Sequence, residues 1–461
     1  MLATSLIEYT TVRDFYRRYL KKYPIFREIN IKAHALFRTI ARFYATGKRL
    51  AYKHLSPDIK AIKPIGPYLA AHQIPYQVIH QSEQHKTPGP QFFTAPDCTP
   101  YMPEQVTIEA PEIRYYCLNQ TSIIGSTSFL EHNQNILIPD QFDLDRDMSW
   151  MELRGLATIK PSSAQITFYQ NKKIRRRLNT AINLVGQCSG NYAHFLTEIL
   201  VKLALADKSG INPDIPILVD GWINDIFFRI LELFNFNKRP IIRVGLFEKV
   251  LVDELIHITG TAYIPAESRL FFETNKLPLP NGEMFLFSPY ALEEVRKAAF
   301  KITTEQSPKN INSHPYIYLK RNSSSYNQRL LTTEQEIEKR ATKLGLRVID
   351  PVDLDFLDQI SLFQNSRIIV SPIGAALANS IFSPQGTTVI ALAPYYENAN
   401  YFYFTNLMAS LRQNLHFVVG KQCRTSSRVP LIHQNYEVDA DLFEATLIYA
   451  LNRDHQQNDL S

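Results

Sequence analysis

The stretch RIIVSPIGAALANSIFSPQGTTVIAL, residues 367–392, decides how this chain is read. An apolar run ends in Ser371-Pro372-Ile373-Gly374-Ala375-Ala376, a helix-compatible segment follows, and Pro384-Gln385-Gly386 turns the chain into a second apolar run. That is a strand–loop–helix–strand unit with small residues at its turn. The lack of bulk at Gly374 and Ala375 permits close approach of a ligand or of another backbone. Amides at the start of the following helix would present the positive end of its dipole to an anion. Tight strand–helix packing explains the same residues, and the stretch is neither a GxGxxG nor a Walker pattern.

Outward from this unit the grammar repeats. YIYLKR (316–321), LRVID (346–350), TTVIALAP (387–394) and HFVVG (416–420) read as strands. TEQEIEKRATKLG, DFLDQISLFQN and DADLFEATLIYALNRDH read as helices, the first ended by Gly345 as a C-cap. Upstream, AHFLTEILVKLALAD (193–207) is a helix with a broad apolar face, followed by the strand IPILVD, the helix INDIFFRILELFN and the strand PIIRVG. Strands alternating with helices imply a mostly parallel sheet, so the class is α/β with two Rossmann-like halves and a boundary within 275–310. From about residue 113, IRYYCL, SIIGST and NILIP are short strand candidates, whereas 61–110 reads as a loop-rich approach. The expected division is a basic helical extension over 1–60, a first Rossmann-like domain over 61–290 and a second over 291–461.

The 461 residues suffice for two full cores. Four widely spaced cysteines, Cys98, Cys117, Cys188 and Cys423, form no CxxC pair and suggest reduced thiols rather than a zinc site or a disulfide framework. The first 20 residues lack an apolar h-region, and no run of about 18 apolar residues occurs, so neither a signal peptide nor a transmembrane helix is expected. The net charge of +6 is uneven: residues 1–60 hold 13 Lys/Arg against 4 Asp/Glu, leaving 37 against 40 elsewhere. Within 8–53 the basic residues alternate with Leu36, Ile40, Phe43 and Tyr44 at helical spacing. This fits a solvated face packed on the main body, or attachment to anionic lipid. Nucleic acid is disfavoured, because no recognised binding module accompanies the charge.

Three constellations carry chemistry. In CSGNYAHFLTEILVKL (188–203), His194 and Glu198 are four apart on one helical face, behind possible caps at Ser189 and Asn191. The pair suits general-base work near neutral pH, and equally fits a surface His–Glu pair. In YLKRNSSSYNQR, Lys320 and Arg321 end a strand where open α/β sheets bind ligands, and Arg329 and Glu334 follow. Basic side chains there suit a diphosphate, or a basic surface turn. The third is the opening stretch. Two D-x-D triplets, Asp143–Asp145 and Asp353–Asp355, are weak metal signals, the second reading better as a helix cap.

Together these stretches resemble glycosyltransferase family 61, which includes the group catalogued with capsular-polysaccharide proteins. The family's Asn-aromatic-x-His helix start with an acidic residue four later appears as Asn191-Tyr192-Ala193-His194 with Glu198. Its strand ending in Arg, then an Arg and a Glu at a helix start, appears as Arg321, Arg329 and Glu334. Its Gly-Pro-His-Gly-Ala-Gly-Leu-Thr-Asn appears as Ser371 through Asn379, with Pro372, Gly374, Ala375, Leu377 and Asn379 in agreement and Ile373 at the family's His. Gln359 matches a Gln usual before that motif. The resemblance covers about 113–420.

The resemblance implies a GT-B-like fold, two Rossmann-like domains facing a cleft, with the nucleotide sugar against the C-terminal half and the acceptor approaching from the N-terminal half. It implies an inverting, metal-independent transferase with no cofactor beyond its nucleotide-sugar substrate. His194 supported by Glu198, or Glu198 itself, would be the catalytic base. Asn191, Arg321, Arg329, Glu334, Pro372, Gly374, Ala375 and Asn379 would bind substrate. The expected partners are a nucleotide-sugar donor and a glycan or lipid-linked acceptor of a bacterial-type surface or capsular polysaccharide. Residues 1–60 would touch anionic membrane, placing a cytoplasmic protein at its inner face. Ile373 supports an alternative, a catalytically silent member that binds or scaffolds in polysaccharide assembly.

Overall fold

The computed structural model describes residues 58–459, apart from 102–103, 170–172, 270–283, 307, 309–313, 322–328, 398 and 424–430. The basic helical segment expected over 1–60 falls outside the described residues except for Asp58–Lys60, which open the strand Asp58–Pro64. The chain is mixed α/β, built on two large sheets.

In the first sheet, four parallel strands run in the order Ile241–Val244, Ile217–Asp220, Arg176–Asn183 and Lys249–Thr259. All four residues of Ile217–Asp220 are buried, as expected where helices cover both faces of a parallel sheet. Antiparallel to Lys249–Thr259 lies the twelve-residue strand Ile113–Ile124, which absorbs two of the short strands expected there. Beyond it the sheet continues through Leu130–His132, Asn135–Ile138, Asp58–Pro64, Gln165–Phe168 and Ala157–Lys160.

The second sheet is parallel through Arg347–Ile349, Tyr316–Leu319, Ile368–Pro372, Thr388–Tyr395 and Asn414–Cys423. Ile368–Pro372 is buried at all five positions. Two further strands lie against Asn414–Cys423: Asn435–Tyr436, antiparallel, and Gln91–Thr94, parallel and drawn from far upstream.

The region 61–110 is a correction to the sequence reading, because it holds strands rather than loops. Glu83–Pro88 and Gln105–Ala110 pair as a ribbon, and Tyr76–His80 adds to Ile113–Ile124. In Gln105–Ala110 exposure and burial alternate residue by residue, so half of the side chains are polar for solvent. The expected boundary region 275–310 contains a 17-residue helix, Pro289–Glu305, capped by Ser288, whose Oγ accepts from the Ala291 amide at 3.2 Å. That helix packs both on Leu200–Lys208 and on the short helix Ala375–Phe382. One apolar core joins the two sheets, running from Ile182, Leu196 and Leu203 through Val295 to Ile317, Ile369 and Phe417. Among the described residues, no helix is long and apolar enough to cross a membrane, and the four cysteines are free thiols.

Candidate active site

His194 comes from a helix whose start is pinned from two directions. Asn191 caps it, its side chain accepting from the Ala193 amide at 3.0 Å. Below, the buried Asp220 carboxylate, at the end of Ile217–Asp220, accepts from Ser189 Oγ at 2.6 Å, from the Gly186 amide at 3.2 Å and from the Ser126 amide at 2.7 Å. Ser189 thus anchors the preceding loop rather than capping the helix. After His194 the helix opens into one π turn, Phe195–Ile199, before continuing as Leu200–Lys208. Such single π turns recur at functional sites because they re-aim side chains. Here His194 Nδ1 meets Glu198 Oε1 directly. The two side chains are 14% and 18% exposed, so the pair is accessible yet not a solvated surface pair. Among the described residues His194 Nε2 has no hydrogen-bond partner. Lys202 follows on the same helix; burial pushes its ammonium pKa down and Glu198 partly offsets this. From the helix Phe402–Ser410, the Tyr403 ring lies 6.2 Å from the imidazole.

The second group forms at the carboxyl ends of Tyr316–Leu319 and Ile368–Pro372, where parallel sheets place ligands. Arg321 Nη1 and Arg329 Nη2 both donate to the Ile373 carbonyl, each at 2.7 Å. Arg329 is set there because the adjoining residues run beside Asn435–Tyr436: the Leu330 amide donates to Asn435 Oδ1 at 3.0 Å, and the Tyr436 amide to the Leu330 carbonyl at 3.0 Å. Glu334 opens the helix Glu334–Lys343 and accepts from the Arg321 amide at 3.0 Å. Gly374 is needed for contact rather than for conformation: a Cβ there would sit 3.1 Å from Arg321 Nη1.

Burial, with neighbouring Arg329 adding to it, takes the Arg321 pKa down to about 10. Burial also lowers that of Arg329, and raises that of Glu334. The Nε of Arg329 is buried with no hydrogen-bond partner among the described residues. Two like charges thus meet at one carbonyl, and Arg329 adds to the lowering of the Arg321 pKa.

Ile373 itself is 7% exposed, its side chain in the core that joins the sheets while its carbonyl meets the arginines. Pro372 is buried at the strand end and Ala375 is exposed at the start of Ala375–Phe382, which winds as a 3-10 helix. Lys320 is turned away from this group, onto Glu338 at 3.0 Å. Asn379 is 1% exposed and ties the two groups together: Tyr192 Oη donates to its Oδ1 at 2.6 Å, and its Nδ2 donates to Gln359 Oε1 at 3.1 Å.

Of the D-x-D triplets, Asp143 closes its own turn by accepting from the Asp145 and Arg146 amides, and Asp355 caps Phe356–Gln364. Sequence reasoning missed Tyr192 as a link between sheets. It also missed Tyr436, fully buried with its hydroxyl on the Leu392 carbonyl at 2.7 Å and its pKa raised by burial beside the arginines. A lone two-residue strand offers no periodic signal for the latter.

Fold and site together define an α/β protein with a histidine–carboxylate pair on the helix that follows Arg176–Asn183 of the first sheet and an arginine clasp at the strand ends of the second. Residues 192–390 match the glycosyltransferase 61 family model, so the family resemblance carried by the motifs holds over that span. No curated protein matches the chain.

Proposed function

We propose that the protein is an inverting, metal-independent glycosyltransferase of GT-B type, which moves a sugar from a nucleotide-sugar donor to a glycan or lipid-linked acceptor in surface or capsular polysaccharide assembly. The observation that carries this is the convergence of Arg321 and Arg329 on one carbonyl at the ends of parallel strands. In this reading the donor diphosphate is held by the two guanidinium groups, beside the backbone of Pro372–Ala375. His194 Nε2 removes the proton of the acceptor hydroxyl while Glu198 holds the ring through Nδ1 and stabilises the imidazolium. The hydroxyl oxygen bonds to the anomeric carbon from the face opposite the diphosphate. The carbon–oxygen bond to phosphate breaks with its electron pair, and the arginines stabilise the charge that develops on the leaving group. Asn191, Glu334 and Asn379 keep these parts in place. Residues 1–60 would hold the enzyme at the inner face of an anionic membrane.

The test is calorimetry of the purified protein against UDP-, GDP-, CMP- and dTDP-sugars, followed by NMR of the product's anomeric configuration. Saturable binding of one donor, lost in Arg321→Ala, with inverted product lost in His194→Gln, is the expected result. Retained configuration or unaffected binding in Arg321→Ala would sink it. One observation favours a second reading, a silent binding member: the position of the family's His is an isoleucine packed in the core. Donor binding without transfer to any acceptor would support that reading.

A further inference from the structure

We infer that Tyr192 is a positioning residue that sets His194 against the arginine clasp. The inference rests on the glycosyltransferase reading and goes beyond it by assigning a task to a side chain that touches neither substrate nor reacting atoms. Tyr192 lies two residues before His194, in the first helical turn. Its hydroxyl donates to Asn379 Oδ1 at 2.6 Å, on the 3-10 helix that begins directly after Gly374. Asn379 continues to Gln359 at 3.1 Å, and Gln359 Nε2 to the Pro351 carbonyl at 2.8 Å, in the loop after Arg347–Ile349. The relay therefore runs from the helix of the base, through the 3-10 helix that follows Ile373 and Gly374, to a strand end of the second sheet.

Burial decides its strength. Asn379 and Gln359 are 1% and 7% exposed, so neither can replace a lost partner with bulk water. Burial also raises the phenol pKa of Tyr192, which keeps the hydroxyl protonated as a donor throughout the neutral range. The apolar core holds the two sheets together without direction, whereas this bond fixes the sliding of one helix start against the other. A displacement of about 1 Å between base and reacting carbon lowers rates by about a hundredfold. The relay acts on that quantity and not on donor affinity, because the arginines reach Ile373 independently of it.

The test compares wild type, Tyr192→Phe, Asn379→Ala and the double variant. With the donor identified by calorimetry, each single variant is expected to lower kcat by about ten- to a hundredfold while donor KM stays within about twofold. The double variant is expected to be no worse than the more damaged single, since the two side chains act as one unit. In ligand-free protein the imidazole signals of His194, assigned with His194→Gln, move in both single variants. Unchanged kcat in Tyr192→Phe, or additive losses, would overturn the inference. If wild type transfers no sugar, the parent reading has failed by itself. The His194 signals then decide: displaced in Tyr192→Phe they uphold the positioning role, and unmoved they remove it.

Discussion

Arg321 and Arg329 hold guanidinium nitrogens at the same distance, 2.7 Å, from the one carbonyl oxygen of Ile373. Burial and mutual repulsion of the two cations lower the pKa of Arg321, and the proposed function gives this clasp the task of holding a diphosphate. Arg329→Met is expected to weaken inorganic pyrophosphate binding at least about tenfold, given the roughly 1.5–3 kcal/mol of a charged hydrogen bond. The thermal midpoint should move by less than about 2 °C, because relief of like-charge crowding offsets the lost bonds. Calorimetry and scanning fluorimetry measure the two quantities. A large drop in midpoint with binding intact would make the clasp a structural feature.

The carbonyl, not the side chain, of Ile373 meets the arginines, and two conservative changes separate those roles. Ile373→Val is expected to lower stability by about 0.5–1.5 kcal/mol, since the side chain is in the core, with pyrophosphate affinity within twofold. Gly374→Ala should do the reverse. The added methyl meets Arg321 Nη1 at 3.1 Å and displaces the guanidinium, so binding weakens while the fold is little affected. Urea titration beside calorimetry reads both; equal effects of the two variants on binding would contradict the assignment.

Glu334 predicts a pH dependence. Burial raises its carboxyl pKa above the ordinary 4.5, so the folded state favours the protonated form. Its contribution is favourable below pH 4.5 and is lost as pH rises through the folded value, leaving a buried carboxylate that opposes folding at neutrality. Glu334→Gln keeps an oxygen for the Arg321 amide and is expected to raise the melting midpoint by about 1–3 °C at pH 7.5. That gain should vanish by pH 4. A gain that persists at acid pH would assign the effect to something other than ionisation.

His416 works in the other direction. Its ring is 4% exposed, stacked 5.6 Å from Phe93, and burial, reinforced by Arg453, pushes its pKa down to about 4. Above pH 6.5 neither state is protonated there and the group is silent. Between 6.5 and about 4 the unfolded chain takes up a proton that the folded chain refuses, so stability falls with pH. At roughly 1.4 kcal/mol per unit, wild type is expected to lose about 2–3 kcal/mol more than His416→Phe between pH 7.5 and 4.5. Urea denaturation at both pH values measures this, and parallel losses would exclude His416 as the cause.

What was legible in the sequence follows from the range of the forces involved. Continuous apolar runs such as Ile368–Pro372 announce a buried parallel strand, and Gly345, at φ +88, ends its helix as its position suggests. The spacing of His194 and Glu198 located the pair, but the π turn between them has no sequence mark. Arg321 and Arg329 were legible as anion-binding types. Their shared acceptor was not, because every residue carries a backbone carbonyl. Tyr192 and Asn379 stand 187 residues apart, and nothing local in either segment names the other. For the same reason Gln91–Thr94 was lost in a region read as loops, since its only sheet partner among the described residues is Asn414–Cys423.

That strand also sets a timetable for the chain. Phe92 stacks 5.0 Å from Phe417, and its neighbours bond along a strand that is synthesised more than three hundred residues later. At about 5–20 residues per second, the segment waits for roughly 15–60 s without its partner, exposing two phenylalanines and an unpaired edge. The second sheet therefore completes this edge only once Asn414–Cys423 has been made, more than three hundred residues after Gln91–Thr94. A fragment of either half, cut anywhere between residues 94 and 414, separates this pair and leaves one sheet edge open to aggregation.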